Sequence, residues 1–162
     1  MSDYKIELYL KIIFLISSIT IISAYYIEYI LGYKPCNLCI IERMPYFVSL
    51  IIIIINYKFK KIQKYLILSM IFIFVFSLVL SIYHFGIEQG IFQESLICSL
   101  KNEANILSKE ELLKELQKIT VSCKDVTLKI FGFSLTSINM FLSLTILILL
   151  TKISISYEKI KQ

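Results

Sequence analysis

Ile40-Ile-Glu-Arg-Met-Pro-Tyr-Phe-Val-Ser-Leu-Ile-Ile-Ile-Ile-Ile55 is the stretch on which the fold turns. Its last five residues are β-branched and would pass for a buried strand. Taken whole, the run is 16 residues long and carries Glu42, Arg43 and Pro45 in its opening turns, which suits a membrane span whose polar end lies near an interface. An open strand cannot satisfy its backbone N–H and C=O groups in lipid. A helix is the remaining reading.

Three more apolar segments flank it: Leu10 to Ile30, Tyr65 to Tyr83, and Phe133 to Thr151, the last free of charge throughout. The composition agrees. Of 162 residues, 57% are hydrophobic and 18% charged, against about 45–50% and about 25% in an ordinary soluble domain. At about 20 residues per span there is room for four or five helices and one sizeable loop, and none for a large soluble catalytic domain. Disorder fits badly with this apolar content. The net charge of +5 is modest and scattered, so no nucleic acid is expected as a partner. The first segment, flanked by Lys5 and Lys11, lacks a small-residue cleavage site before Cys36 and reads as a retained helix. The expected fold class is an all-α membrane protein: one domain over residues 1–162, a four-transmembrane-helix bundle with helices at about 10–30, 40–56, 65–84 and 132–151.

Lysine placement orients the bundle. With both termini inside, Lys5, Lys11, Lys58, Lys60, Lys61, Lys64, Lys152, Lys159 and Lys161 fall in three short cytoplasmic stretches, while most of the remaining cations are diluted over one long outer loop. Tyr9, Tyr25, Tyr26, Tyr29, Tyr57, Tyr65 and Tyr83 sit near helix ends, as an interfacial aromatic belt requires. The outer loops are then residues 31–39 and 85–131. Cys36 and Cys39 lie in the first and Cys98 and Cys123 in the second. In a bacterium this face is the periplasm, where disulfides persist. Within the second loop, Ser108-Lys-Glu-Glu111 has the form of a capping box, followed by Leu112, Leu113, Leu116 and Ile119 on one face, which predicts a short amphipathic helix.

Cys36-Asn-Leu-Cys39 is a Cys-x-x-Cys pair at a helix start, where the positive end of the helix dipole and Arg43, one turn on, favour a thiolate. A stapling disulfide and a zinc site compete with redox chemistry for this spacing. Zinc is the weaker rival, since there is no second Cys-x-x-Cys and no His near Cys98 or Cys123 in the sequence. Cys98 and Cys123 read as a second dithiol, with the connectivity of the four cysteines open. Electrons from two dithiols need an exit. The chain has no Gly-x-Gly-x-x-Gly, has Ile40 where a c-type haem site needs His, and has too few cysteines for an iron–sulfur cluster beside a dithiol. A lipid-soluble quinone is the simplest sink. Arg43 at the membrane boundary is placed to polarise its carbonyl or hold a thiolate beside it, or is only an interfacial snorkelling cation. His84 at the outer end of the third helix is either a proton or hydrogen-bond partner for the quinone or a single interfacial polar residue. Glu28 and Glu42 admit a role, but a position at the interface also explains them.

Lys34-Pro35-Cys36-Asn37-Leu38-Cys39-Ile40-Ile41-Glu42-Arg43, Tyr83-His84-Phe85-Gly86-Ile87-Glu88-Gln89-Gly90, and Cys123-Lys124-Asp125-Val126 with Phe131-Gly132-Phe133-Ser134-Leu135 and Asn139 resemble, in order and spacing, the DsbB family of bacterial inner-membrane quinone-dependent disulfide oxidases. The resemblance implies a quinone, ubiquinone or menaquinone, at the periplasmic end of a four-helix bundle, and a periplasmic thioredoxin-fold oxidase of DsbA type as partner. By matching position it implies that Cys36 and Cys39 are reoxidised by the quinone, with Cys39 nearest to it. Arg43 becomes the quinone-site cation, and His84 and Gln89 residues of the quinone neighbourhood. Cys98 would form the mixed disulfide with the partner, and Cys123 would be its pair. The chain departs from many relatives in having no Trp, and in a loop between Cys98 and Cys123 dominated by Lys, Glu and Leu. The vitamin K epoxide reductase group, also a four-helix quinone enzyme, has its cysteine pairs in the opposite order. A reading from another class is a membrane interaction protein whose disulfides only staple its outer loop.

Overall fold

The computed structural model describes residues 3–93, 123, 129–130 and 132–161. Cys98 and the amphipathic helix expected over residues 108–119 lie outside them. Four long helices are present: α1 (Asp3–Tyr29), α2 (Asn37–Lys58), α3 (Gln63–Glu88) and α4 (Leu135–Lys161). All four are long and apolar enough to cross a membrane. Alternation places both termini and the α2–α3 connection at one end of the bundle and the cysteines at the other.

The helices outrun the apolar segments that announce them, because only the lipid-crossing part of each must be apolar. On the exposed first turns of α1, Glu7 and Lys11 form an i,i+4 ion pair at 3.0 Å. The fourth helix differs in the other direction, starting at Leu135 and not near residue 132. A short hairpin precedes it, with Lys129–Ile130 (β1) antiparallel to Phe133–Ser134 (β2). Ser134 then acts as N-cap, its Oγ accepting the Ser137 N–H at 3.2 Å. At the end of α3, Gly90 takes φ +73° and lets the chain turn back, so that Ile91 N–H donates to Gly86 O at 2.8 Å.

The bundle is apolar outside and partly polar inside. Phe72, Ile22 and Leu15 point outward at 80%, 67% and 60% exposure, as lipid-facing residues should. Toward the end that holds the termini, Leu10, Ile13, Ile53, Phe74, Ile146 and Leu150 make a dry core. Between that core and the cysteines, Ser17, Ser49, Ser77, Ser81 and Ser143 are fully buried. Small hydroxyl residues let helix backbones approach and bond across the interface. Ser49 Oγ donates to Ser17 Oγ at 3.1 Å, and Ser77 and Ser143 meet at 3.1 Å. α3 packs extensively along α4, whereas α1 touches α4 only sparsely. That uneven packing leaves the space in which the cysteines sit.

Candidate functional site

Cys36 is the N-cap of α2: its Sγ accepts the backbone N–H of Cys39 at 3.2 Å. Pro35 ends the preceding loop, and the Cys-x-x-Cys spacing brings Cys39 round one turn, so the two sulfurs lie 2.6 Å apart. Both thiols are free. Closing them to a disulfide of about 2.05 Å brings the sulfurs about half an ångström closer. Hydrogen bonding from the Cys39 thiol, assisted by His84, draws the Cys36 thiol down to about 5 against burial, which pushes it up. Free cysteine sits near about 8.5, so Cys36 is a thiolate at neutral pH.

His84, on the last turns of α3, is 1% exposed and points its Nε2 at Cys36 Sγ, 3.6 Å away. Its Nδ1 faces Glu42 Oε1 at 3.2 Å, with Thr136 Oγ1 at 3.4 Å. The sequence separates His84 from Cys36 by 48 residues, so only the crossing of α2 and α3 brings them together. Glu42 is one turn past Leu38 on α2 and is buried with it. Its second oxygen accepts from Asn139 Nδ2 at 3.1 Å, and the same amide donates to Ser81 Oγ at 2.8 Å. Tyr46 OH donates to Asn139 Oδ1 at 2.6 Å and meets Ser143 Oγ at 3.1 Å. Because Asn139 takes the only phenolic proton, Ser143 must donate to Tyr46 and Ser77 to Ser143. A single hydrogen-bonded chain thus descends from Cys36 through His84, Glu42, Asn139 and Tyr46 into the serine layer. His84, Glu42, Tyr46 and the serines in it are buried and Asn139 is half-buried, so removing a buried partner costs about 1–3 kcal/mol.

Arg43 faces the other way. Its guanidinium pairs with Glu28 of α1 and lies 5.4 Å over the Tyr25 ring. The sequence leaves Glu28 between a role and a mere interface position; in the structure it anchors the Arg43 guanidinium. Stacked and paired, the guanidinium is fixed in orientation and keeps donors free for a further acceptor.

These groups surround one cavity of about 440 Å³. Cys36, Cys39, Glu42, Arg43, His84 and Asn139 form its polar end. From α1, Ile16, Thr20, Ser23 and Ile27 recur on one face and line the wall, opposite Ile138 and Leu142 of α4. Cys123 also lines it, is 3% exposed, and belongs to the same buried cluster as Cys36, Leu38 and Ile87. Cys123 is disulfide-bonded. Of the residues expected at the site, the structure therefore brings Cys36, Cys39, Cys123, Arg43 and His84 together. Gln89 is not brought there: it caps α3 in an exposed position. A helix advances 100° per residue, so Glu88, four after His84, shares its face and reaches the cavity while Gln89 turns away. Glu88 Oε1 accepts from Thr136 Oγ1 at 2.5 Å.

Polar donors stand at one end, isoleucines and leucine along the walls, and the volume lies within the range of small-molecule sites. Comparison with known proteins bears on the chain as a whole. The family described as disulfide bond formation protein DsbB matches residues 7–153. An uncharacterized protein of Rickettsia prowazekii (strain Madrid E), RP370, is 36% identical over 138 residues, covering 83% of this chain and 80% of that one. No solved structure matches.

Proposed function

Since the chain belongs to the DsbB family of membrane proteins that form disulfide bonds, we propose that it takes electrons from a periplasmic thioredoxin-fold oxidase of DsbA type and delivers them to a membrane quinone. The observation that carries this reading is the meeting of Cys123, the Cys36–Cys39 pair, His84 and Arg43 at one apolar-walled cavity.

Cys98 and Cys123 would receive the electrons first. A partner thiolate attacks Cys98, the Cys98–Cys123 bond breaks, and the second partner thiolate resolves the mixed disulfide, releasing oxidised partner and a reduced loop pair. Cys123 lies in the same buried cluster as Cys36, which supports exchange between the two pairs. That exchange leaves Cys36 and Cys39 reduced and the loop pair oxidised. Bound quinone supplies an acceptor for two electrons and two protons. Cys39, Arg43 and His84 are the residues placed to hold its ring. The Cys36 thiolate accepts from His84 Nε2, and Glu42 accepts from Nδ1, so a doubly protonated ring satisfies both at once. As Cys36 and Cys39 close to a disulfide, that negative charge disappears and His84 can give up a proton at Nε2 toward the cavity. Arg43, held by Glu28 and Tyr25, offers a fixed positive charge where negative charge develops.

Purified protein given a reduced thioredoxin-fold oxidase and quinone should oxidise the dithiol and reduce the quinone in equal amounts. A folded preparation that does neither overturns the proposal. In cells, thiol trapping separates it from a merely stapled protein: quinone depletion should leave the cysteines reduced, whereas structural disulfides would stay oxidised.

A further inference from the structure

We propose that the reduced Cys36–Cys39 pair and His84 form a zinc site, and that zinc binding holds the protein in its dithiol form. Cys36 Sγ, Cys39 Sγ and His84 Nε2 lie within 4.8 Å of one another. Two of the three separations can be tested against tetrahedral zinc. With Zn–S of about 2.3 Å and Zn–N of about 2.0–2.1 Å, a tetrahedral angle places S and N about 3.6 Å apart, and Cys36 Sγ and His84 Nε2 are separated by 3.6 Å. Two thiolates on zinc stand about 3.8 Å apart, so the sulfurs, now at 2.6 Å, must spread by about 1 Å. Rotation of the Cys39 side chain, on the first turn of α2 and only part-buried, provides that.

The surroundings have the form that metal sites use. A ligating histidine donates its other ring N–H to a carboxylate, which fixes its tautomer and strengthens it as a ligand. Here Glu42 accepts from Nδ1 at 3.2 Å and is itself held by Asn139, leaving Nε2 aimed at the sulfurs. Cys-x-x-Cys is a zinc-ligand spacing, and thiolate with imidazole is a donor set that suits zinc. Three protein ligands leave a fourth position open toward the cavity, for water. Binding needs no redox step: Cys36 enters as thiolate, the protons of the Cys39 thiol and of His84 Nε2 leave to solvent, and the His84 ring, still donating at Nδ1, contributes the freed Nε2 lone pair. Zinc on both sulfurs excludes the disulfide, so the ion competes with oxidation of the pair. The inference needs only that the pair can be reduced, whatever its electron acceptor.

The test uses full-length protein in detergent, reduced with a phosphine, and titrated with Zn²⁺ or, as a spectroscopic substitute, Co²⁺. One equivalent should bind and give thiolate-to-cobalt charge transfer with the visible bands of a tetrahedral site. Prior oxidation of the pair should abolish binding without any mutation. His84→Ala should weaken it at least 10-fold, and Glu42→Gln about 10–100-fold through the histidine. The Cys98→Ser/Cys123→Ser variant should bind as the parent does. Binding that survives oxidation, is indifferent to His84→Ala, or is lost in the Cys98→Ser/Cys123→Ser variant overturns the proposal, as does an octahedral cobalt spectrum. Quinone reduction measured without metal on the same preparation shows separately whether the redox reading stands.

Discussion

Removing the His84 ring should raise the pH at which Cys36 ionises, and the size of that rise tests the site geometry. Cys36 Sγ is approached by the Cys39 thiol at 2.6 Å, the Cys39 N–H at 3.2 Å and His84 Nε2 at 3.6 Å. Together they hold its ionisation near 5 against burial, with Cys39 the largest influence and His84 next among those that lower it. A cation or donor at such a distance typically accounts for about 1–3 pH units. In the Cys98→Ser/Cys123→Ser background, His84→Ala should therefore move the half-point of Cys36 from about 5 to about 6–8, and Cys39→Ala should move it further. The sign follows from the charge: Cys36 is an anion above its half-point, so reactivity is full at neutral pH and is lost as the pH falls through 5. The assay is the rate of iodoacetamide alkylation against pH, with Cys36 identified by peptide mass. A half-point that His84→Ala leaves in place would refute the contact on which both the proposed proton path and the zinc site depend.

Other outcomes can be stated briefly. Glu42→Gln keeps a hydrogen-bond acceptor for His84 but removes the charge, and should lower kcat for quinone reduction about 10–100-fold, within the lower range of general acid–base effects, while trapping of the partner on Cys98 is unchanged. Arg43→Ala should raise KM for quinone without affecting the mixed disulfide, and Glu28→Gln should reproduce part of that loss because it unpins the same guanidinium. Gln89→Ala, at an exposed helix cap, should change steady-state activity and stability by no more than about 2-fold, the range of ordinary surface substitutions.

Much of the fold is written in residues that obey one-dimensional rules. Lipid demands a run of apolar side chains, so Leu10–Ile30 and Phe133–Thr151 declare themselves, and Cys36 next to Pro35 at a helix start is legible as an activated thiol. The ends of the helices are not bound by that demand, which is why α1 and α4 extend past the apolar runs and why Ser134, a cap, sets the start of α4. The interior of the site was less accessible. Glu42 lies three residues from Cys39 but meets His84 on another helix, and Tyr46 and Asn139 carry no motif of their own. A signal was available: Glu42, Tyr46, Ser49 and Ile53 recur at helical spacing in α2, and all four are buried. A stripe combining a carboxylate, a phenol and a hydroxyl within a lipid span points inward, because lipid would not accept it.

The ionisation of Cys36 beside Cys39 and His84 also bears on the direction of electron flow. Whatever stabilises a thiolate stabilises the reduced member of a dithiol–disulfide couple and makes the disulfide a stronger oxidant. Lowering one thiol from about 8.5 to about 5 favours the reduced form at pH 7 by roughly 2–3 kcal/mol, on the order of 50 mV for two electrons. The Cys39 thiol and His84, which do most to ionise Cys36, thus raise the reduction potential of the Cys36–Cys39 pair. Drawing electrons in becomes easier and passing them on becomes harder, so in the proposed relay the second step is driven by the potential of the quinone.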